Sequence, residues 1–333
     1  MNFAELTTFR VGGAIQNFIE ATSEEMILDA LTADPLAQVI GGGSNILAGD
    51  DEYDGTVLRI STQGSELDYS ACAGGLITVA AGVEWDDFVA QTVVAGFSGL
   101  ETLSGIPGRV GAAPIQNIGA YGEEFKNVAA RVRTYDRSAR EERTFTANQC
   151  GFGYRTSRFK EEPNRYVILD VTVQLSRGDL SIPIAYPELS KALGVNEGER
   201  TPVKSARAKV LEIRANKGML LSQNDKDSWS AGSFFINPSV PSDVAVALPP
   251  AAPRWPNPDG SVKLSAAWLL EHSGIAKGDR IGGASISTKH VLAITNSANA
   301  TSKDVLDLAK KCQDAVYSSF AIELTPEVQL INC

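Results

Sequence analysis

Ile40-Gly-Gly-Gly-Ser-Asn-Ile-Leu47 and, further along, Ser104-Gly-Ile-Pro-Gly-Arg-Val-Gly-Ala-Ala-Pro-Ile-Gln-Asn-Ile-Gly-Ala-Tyr-Gly122 are the two stretches that decide how this chain is read. The first follows a short strand-like run, Gln38-Val-Ile40. Consecutive glycines let backbone N–H groups close on a phosphate without side-chain clashes, and Ser44 and Asn45 can add hydrogen bonds. Three glycines alone suit an ordinary tight turn equally well. They do not spell a dinucleotide fingerprint, because the frame that starts at Gly41 meets Ile46 where glycine is required, and no P-loop lysine follows. The second stretch tips the reading. Rich in glycine and poor in charge, it is too apolar for a solvent loop and is better explained by backbone packed against a large planar or phosphorylated ligand.

Around these turns the pattern mixes strands and helices. Thr22-Ser-Glu-Glu25 reads as a capping box opening a helix with Met26, Ile27, Ala30 and Leu31 on its apolar face. Strands are expected at Gln38–Ile40, Thr56–Ile60, Leu76–Ala80 and Val291–Thr295. Helices are expected around Trp85–Ala95, with Phe88, Val89, Thr92 and Val93 inward, at Ser265–His272 before Gly274, and at Lys303–Phe320. The last carries a stripe of Val305, Leu308, Ala309, Cys312, Val316 and Phe320. Arg177–Arg200 and the proline-rich run Pro238–Pro258 read as loop or linker. The pattern is that of an α+β or α/β fold.

With 333 residues the chain has room for two or three domains, and 43% hydrophobic residues give ample core. Thirty basic against forty acidic side chains leave a net charge of −10, which disfavours a general nucleic-acid binder. The start, Met1–Arg10, lacks the basic and apolar regions of a secretory signal, and no apolar run approaches the ~18–20 residues of a membrane span, so a cytoplasmic protein is expected. Cys72, Cys150, Cys312 and Cys333 are far apart and read as reduced, mostly buried thiols with no metal-ligand spacing. Two histidines, His272 and His290, give little support to a histidine triad.

Five motifs in order carry a resemblance: Gly41–Asn45, the run from Ile106-Pro-Gly108 to Tyr121-Gly122, Gly153-Tyr-Arg155, Gly232-Ser-Phe-Phe-Ile-Asn-Pro238 and Pro326-Glu-Val328. Together, from Thr7 to Ile331, the chain resembles the UDP-N-acetylenolpyruvoylglucosamine reductases, flavoproteins of peptidoglycan precursor synthesis. The resemblance implies an FAD-binding fold of the vanillyl-alcohol-oxidase (PCMH) type with two lobes, plus a C-terminal α+β substrate-binding domain. The implied division is 1–63 with 324–333 as the first lobe, 64–221 as the second, and 222–323 as the substrate domain. Ala185-Tyr-Pro-Glu-Leu189 resembles the tyrosine loop of the family's longer type.

The implied reaction takes a hydride from NADPH and passes it through FAD to the enolpyruvyl group, in a ping-pong scheme, giving UDP-N-acetylmuramate. Tightly but non-covalently bound FAD would lie on Gly41, Gly42, Gly43, Ser44, Asn45, Pro107, Gly108, Gln116, Asn117, Gly119 and Tyr121. Hydride addition to a vinyl ether conjugated to a carboxylate leaves an enolate-like dianion, which calls for a cation and a proton donor. Arg155 suits the cation, being always charged and able to grip a carboxylate with two hydrogen bonds. Ser233, between Gly232 and two phenylalanines, resembles the family's proton donor. Glu327 resembles its third catalytic group, either polarising the enolate as an acid or setting protonation around Arg155 and Ser233.

Tyr186 and Lys217 match positions that bind the substrate's diphosphate, and Asn237 matches a substrate-binding amide. His290 suits contact with the amino sugar or a plain core or surface histidine equally. Two departures stand out: Gln329 replaces an arginine common after Glu-Val, and Arg109 replaces a small residue in the I-P-G-x-V-G run. An oxidase of the same fold, and a non-catalytic flavin- or nucleotide-binding protein, are the competing classes. A serine hydrolase is disfavoured, for want of a G-x-S-x-G elbow and because the two histidines lie in ordinary surroundings. The partners implied are the nucleotide sugar and NADPH, with no nucleic acid and no membrane, acting on a monomer.

Overall fold

The computed structural model describes residues 1–68 and 74–333. It divides into two compact units, one of Met1–Ala14, Gly43–Tyr53 and Leu221–Cys333, the other of Ile15–Gly42 and Asp54–Leu220. Among the described residues no helix is long and apolar enough to cross a membrane. The expected α+β mixture is what the chain forms.

In the second of these units, strands Ile15–Ala21, Tyr53–Ile60 and Gln38–Ile40 form a sheet with Tyr53–Ile60 central, and Gln38–Ile40 runs parallel to it. Residues 41–52 form the connection within the parallel pair, and helix Glu24–Ala33 joins the strand Ile15–Ala21 to Gln38–Ile40. Its cap is Ser23, which accepts from Met26 N, rather than Thr22. Ile27, Ala30 and Leu31 are buried as expected, but Met26 is 40% exposed, because it lies off that stripe at the helix start. A larger antiparallel sheet follows, in the order Glu141–Thr146, Ala129–Asp136, Tyr166–Gln174, Leu76–Ala80, Ser65–Asp68. Its central strand, Tyr-Val-Ile-Leu-Asp-Val-Thr-Val-Gln, is apolar almost throughout because both of its faces are buried. Helix Trp85–Val94 buries Trp85, Phe88, Val89, Thr92 and Val93. Trp85 also donates Nε1 to the Leu103 carbonyl at 3.0 Å, so burial leaves its polar end satisfied.

Asp136 closes the strand Ala129–Asp136 with a side chain that is 0% exposed. It accepts from Ser138 N (3.0 Å), Ala139 N (3.2 Å) and Arg165 Nη2 (2.9 Å). The Arg165 guanidinium holds its carboxyl below the usual carboxylate range. Asp136→Ala should therefore cost about 2–4 kcal/mol in chemical denaturation at pH 7. A depressed folded-state value means this stabilisation is present above about pH 4 and is lost as pH falls through it. The gap between wild type and variant should narrow in acid, and a gap that is constant with pH would contradict the assignment.

The other unit holds a parallel pair, Ile46–Ala48 with Gln329–Ile331, which joins the first glycine turn to the chain's C-terminal end. Two small antiparallel sheets follow, Ser239–Val240, Val262–Leu264 and Arg254–Pro256, then Arg280–Ile281, Ala284–Ile286 and Ile294–Asn296. Helix Ser302–Phe320 packs the expected stripe, with Val305, Leu308, Ala309, Cys312 and Val316 buried. Thr301 and Asp304 cap it reciprocally, and Asp50 accepts from the Ser302 N–H and hydroxyl.

Several expectations need correction. Arg177–Arg200 contains the helix Pro187–Leu193: Pro187 is its first residue and Gly194, left-handed at φ 71°, its C-cap. The two residues that read as breakers are its start and stop. Pro238–Pro258 contains the helix Ser242–Ala247 and the strand Arg254–Pro256, whose proline is tolerated because the strand lies at a sheet edge. The strand expected at Val291–Thr295 runs Ile294–Asn296 instead. Cys150 and Cys312 are buried free thiols, Cys333 is exposed, and Cys72 lies outside the described residues.

Candidate active site

The two glycine turns meet where sequence could only juxtapose them on paper. A Cβ on Gly42 would come within 2.8 Å of the Gly108 Cα, whereas one on Gly41 would meet only the Arg109 Cβ at 3.6 Å. Gly43 has φ 62°, and a Cβ there would run into the Leu6 carbonyl. Gly42 and Gly43 are thus required by close backbone approach. Gly41 follows directly on the strand Gln38–Ile40, and the Gly43 carbonyl accepts from Thr8 N at 3.2 Å. A turn of consecutive glycines, whose N–H groups no Cβ shields, suits the diphosphate of a dinucleotide. Pro107 and Gly108 are half-buried, and the Gly108 carbonyl accepts from Trp85 N at 2.9 Å.

Arg109, the departure inside the second turn, is buried. Its guanidinium donates to the Ile60 carbonyl, to Ser61 Oγ at 2.6 Å and to Glu84 Oε1 at 3.1 Å. Those bonds tie the second turn to the end of the strand Tyr53–Ile60, a structural duty a small residue could not perform.

Further along, Asn117 is fully buried, donating Nδ2 to the Gly153 carbonyl (2.9 Å) and to Glu124 Oε2 (2.8 Å), while Oδ1 accepts from Lys126 N (2.9 Å). It pins the turn Gly153–Thr156 against the second glycine segment. On that turn Arg155 donates Nη2 to the Gly119 carbonyl at 2.9 Å, with its guanidinium 5.6 Å from the Tyr154 ring. Gln116, which precedes Asn117, is half-buried. Asn117, Tyr121 and Arg155 have φ of 46°, 51° and 54°. Left-handed backbone is costly at residues with a Cβ, most of all at the tyrosine and arginine, and such strain concentrates at functional sites.

Tyr121 leads to a second cluster. Its ring stands edge-on to Tyr186, centroids 5.5 Å apart, and the Lys217 ammonium lies 6.0 Å from it. Burial pushes the Tyr121 hydroxyl up to about 12 and raises that of Tyr186, so both stay neutral donors at ordinary pH. Tyr186 caps the helix Pro187–Leu193, and Lys217 ends the helix Val203–Asn216, where a cation suits the helix dipole. Lys217 also pairs with Glu188. Glu188 was not a sequence candidate, although its place in the first helical turn after Tyr186 was visible.

In the unit that contains the C-terminal half, Ser233 and Glu327 are brought onto neighbouring chains. Glu327 N donates to the Phe234 carbonyl at 2.8 Å and Ile236 N to the Thr325 carbonyl at 3.1 Å, and Phe235 bridges Pro326. On its other side Phe234 N donates to the Leu292 carbonyl at 2.7 Å. Phe234 and Phe235 are buried, while Ser233 and Glu327 keep partial exposure. The Asn45 side chain donates to the Glu327 carbonyl at 3.1 Å, and Gln329 N to the Asn45 carbonyl at 3.0 Å. The end of the first glycine turn is therefore fastened to the Glu327 segment. The Gln329 side chain is exposed. Asn237 spends Oδ1 on Ala266 N at 2.9 Å, opening the helix Ala266–Glu271, which leaves Nδ2 as the atom to offer a ligand. His290 is half-buried, with its N–H on Ser287 Oγ at 3.1 Å.

A glycine-lined turn on an α+β scaffold suits a flavin-binding oxidoreductase, and residues 8–141 match the model of an FAD binding domain. Residues 223–331 match the C-terminal domain of UDP-N-acetylenolpyruvoylglucosamine reductase. A reductase of that name from Cutibacterium acnes is 50% identical over 99% of this chain and 89% of its own. One from Streptomyces coelicolor is 45% identical over 97% of this chain and 87% of its own. The crystal structure of the Thermus caldophilus enzyme superposes with a TM-score of 0.70 at 25% identity, covering 99% of this chain and 97% of that one. The chain belongs to the UDP-N-acetylenolpyruvoylglucosamine reductase family, and its cofactor is FAD.

Proposed function

We propose that this protein reduces the enolpyruvyl ether of UDP-N-acetylglucosamine to UDP-N-acetylmuramate with NADPH, as a cytoplasmic monomer making a peptidoglycan precursor. The observation that carries the reading is the backbone pairing that sets Ser233 beside Glu327, with Asn45 fastened to the same segment. Its three-part division, 1–63 with 324–333, 64–221 and 222–323, is part of the same proposal. FAD, when bound, would supply two-electron hydride transfer between the nicotinamide and the enolpyruvyl group.

The chain's own residues supply the rest. Gly41–Asn45, with Pro107, Gly108, Gln116, Asn117, Gly119 and Tyr121, hold and orient the cofactor. Arg155 grips the substrate carboxylate and stabilises the charge that grows there. The Ser233 hydroxyl gives its proton to the adjacent carbon, a step that a weak acid can perform because the carbanion is strongly basic and the two atoms are held together. The resulting alkoxide recovers a proton from solvent. Glu327 sets the charge balance around that exchange, Lys217 and Tyr186 take the diphosphate, Asn237 Nδ2 donates to the substrate, and His290 reaches the amino sugar.

Anaerobic NADPH should bleach the yellow protein, and the enolpyruvyl nucleotide sugar should then restore its colour with one equivalent of product. Bleaching without recovery by the sugar would contradict the reading.

A further inference from the structure

Lys217, the cation assigned to the substrate's diphosphate, already has an anion. Glu188 lies in the first turn of the helix Pro187–Leu193 and pairs with the lysine at 2.5 Å, the two side chains being 42% and 31% exposed. The residue before that helix is Tyr186, whose ring stands edge-on to Tyr121, and Lys217 in turn lies over the Tyr121 ring. One ion pair thus ties the segment bearing Tyr186 to the lysine that ends the helix Val203–Asn216. An ion pair this accessible to water shifts an equilibrium by no more than about fivefold, so it can form without locking.

We propose that Glu188 is an internal anion that occupies Lys217 until a nucleoside diphosphate displaces it, and so sets which ligands that lysine accepts. The inference rests on the assignment of Lys217 to the diphosphate. A diphosphate brings more than one negative charge and several acceptor oxygens, and it outcompetes a single carboxylate. A neutral nucleoside gains nothing from the lysine and leaves the pair closed. Displacement also frees the Tyr186 segment at the moment the diphosphate arrives, which couples the tyrosine's position to the ligand's charge. Glu188 is a positioning residue, acting through Lys217 rather than on the substrate.

The test is calorimetric titration of the FAD-loaded full chain with UDP and, separately, with uridine. Glu188→Gln, which keeps size and removes charge, should tighten UDP by about three- to tenfold, from loss of the competing pair and of its repulsion toward the diphosphate. It should leave uridine unchanged. Glu188→Ala should act in the same direction. Lys217→Met should weaken UDP, and in that background the effect of Glu188→Gln should shrink to the lost repulsion alone, a non-additivity that a merely structural glutamate would not produce. UDP affinity unchanged or lowered by Glu188→Gln, while Lys217→Met still weakens it, overturns the inference and leaves the diphosphate assignment standing. UDP affinity unaffected by Lys217→Met overturns both.

Discussion

Replacing Ser233 by alanine leaves the flavin bound and fully reducible by NADPH, yet slows its reoxidation by the nucleotide sugar by about 10²–10⁴-fold, the usual contribution of a positioned proton donor. The expected selectivity follows from how the residue is held. Gly232 precedes it at φ 74°, and Phe234 is bonded through its N–H to the Leu292 carbonyl at 2.7 Å and through its carbonyl to Glu327 N at 2.8 Å. Phe234 and Phe235 are buried beyond it. The main chain is clamped on both sides, so deleting one hydroxyl removes a donor without moving the strand. Stopped-flow absorbance separates the two half-reactions. Ser233→Cys, which retains a proton, should recover part of the loss. An alanine variant that reoxidises at the wild-type rate would remove Ser233 from the mechanism.

Gly42→Ala is expected to destabilise the apoprotein and weaken its hold on FAD, while Gly41→Ala, one residue away, leaves the apoprotein's folding intact. The contrast is geometric. The added methyl at Gly42 would sit 2.8 Å from the Gly108 Cα, a backbone atom that cannot rotate aside, while at Gly41 the contact is an ordinary 3.6 Å to the Arg109 Cβ. The Gly42 methyl must push the two glycine turns apart, at a cost of about 1–3 kcal/mol in the apoprotein and about 10- to 100-fold in flavin affinity. Arg109 makes the second turn slow to yield, because its guanidinium is bonded to Ser61 Oγ at 2.6 Å and Glu84 Oε1 at 3.1 Å. Thermal melts of both apoproteins and the FAD content of the purified chains measure the two effects. Equal melting temperatures for Gly41→Ala and Gly42→Ala would contradict the packing argument.

What sequence could and could not convey is clear from particular residues. The amphipathic helix Ser302–Phe320 was legible because its apolar spacing repeats over several turns, and the glycine turns because glycine is a demand of the backbone itself. The strand Tyr166–Gln174 was not read, since an apolar run buried on both faces lacks the alternation that marks a half-exposed strand. Helix Pro187–Leu193 reads as loop in sequence because Pro187 and Gly194 punctuate it so closely. In the candidate site, residue types with a distinctive neighbourhood stood out, among them Arg155 between Gly153 and Ser157 and Ser233 after Gly232. Their partners did not. Glu188, Glu84 and Asp136 act through residues distant along the chain, at Lys217, Arg109 and Arg165, and only tertiary structure supplies those pairings. The net charge of −10 likewise gave no sign of where an anionic substrate could bind, whereas Lys217 is a local cation and Gly41–Ser44 offer backbone donors.

The central claim is that electrons leave this flavin for an enolpyruvyl nucleotide sugar. An anaerobic spectrum of the NADPH-reduced protein, taken before and after one equivalent of UDP-N-acetylglucosamine enolpyruvate, tests it most directly. Full return of the oxidised flavin absorbance in a single turnover, together with stoichiometric UDP-N-acetylmuramate, is the expected result. A flavin that stays reduced with the nucleotide sugar and returns only when air is admitted would contradict it.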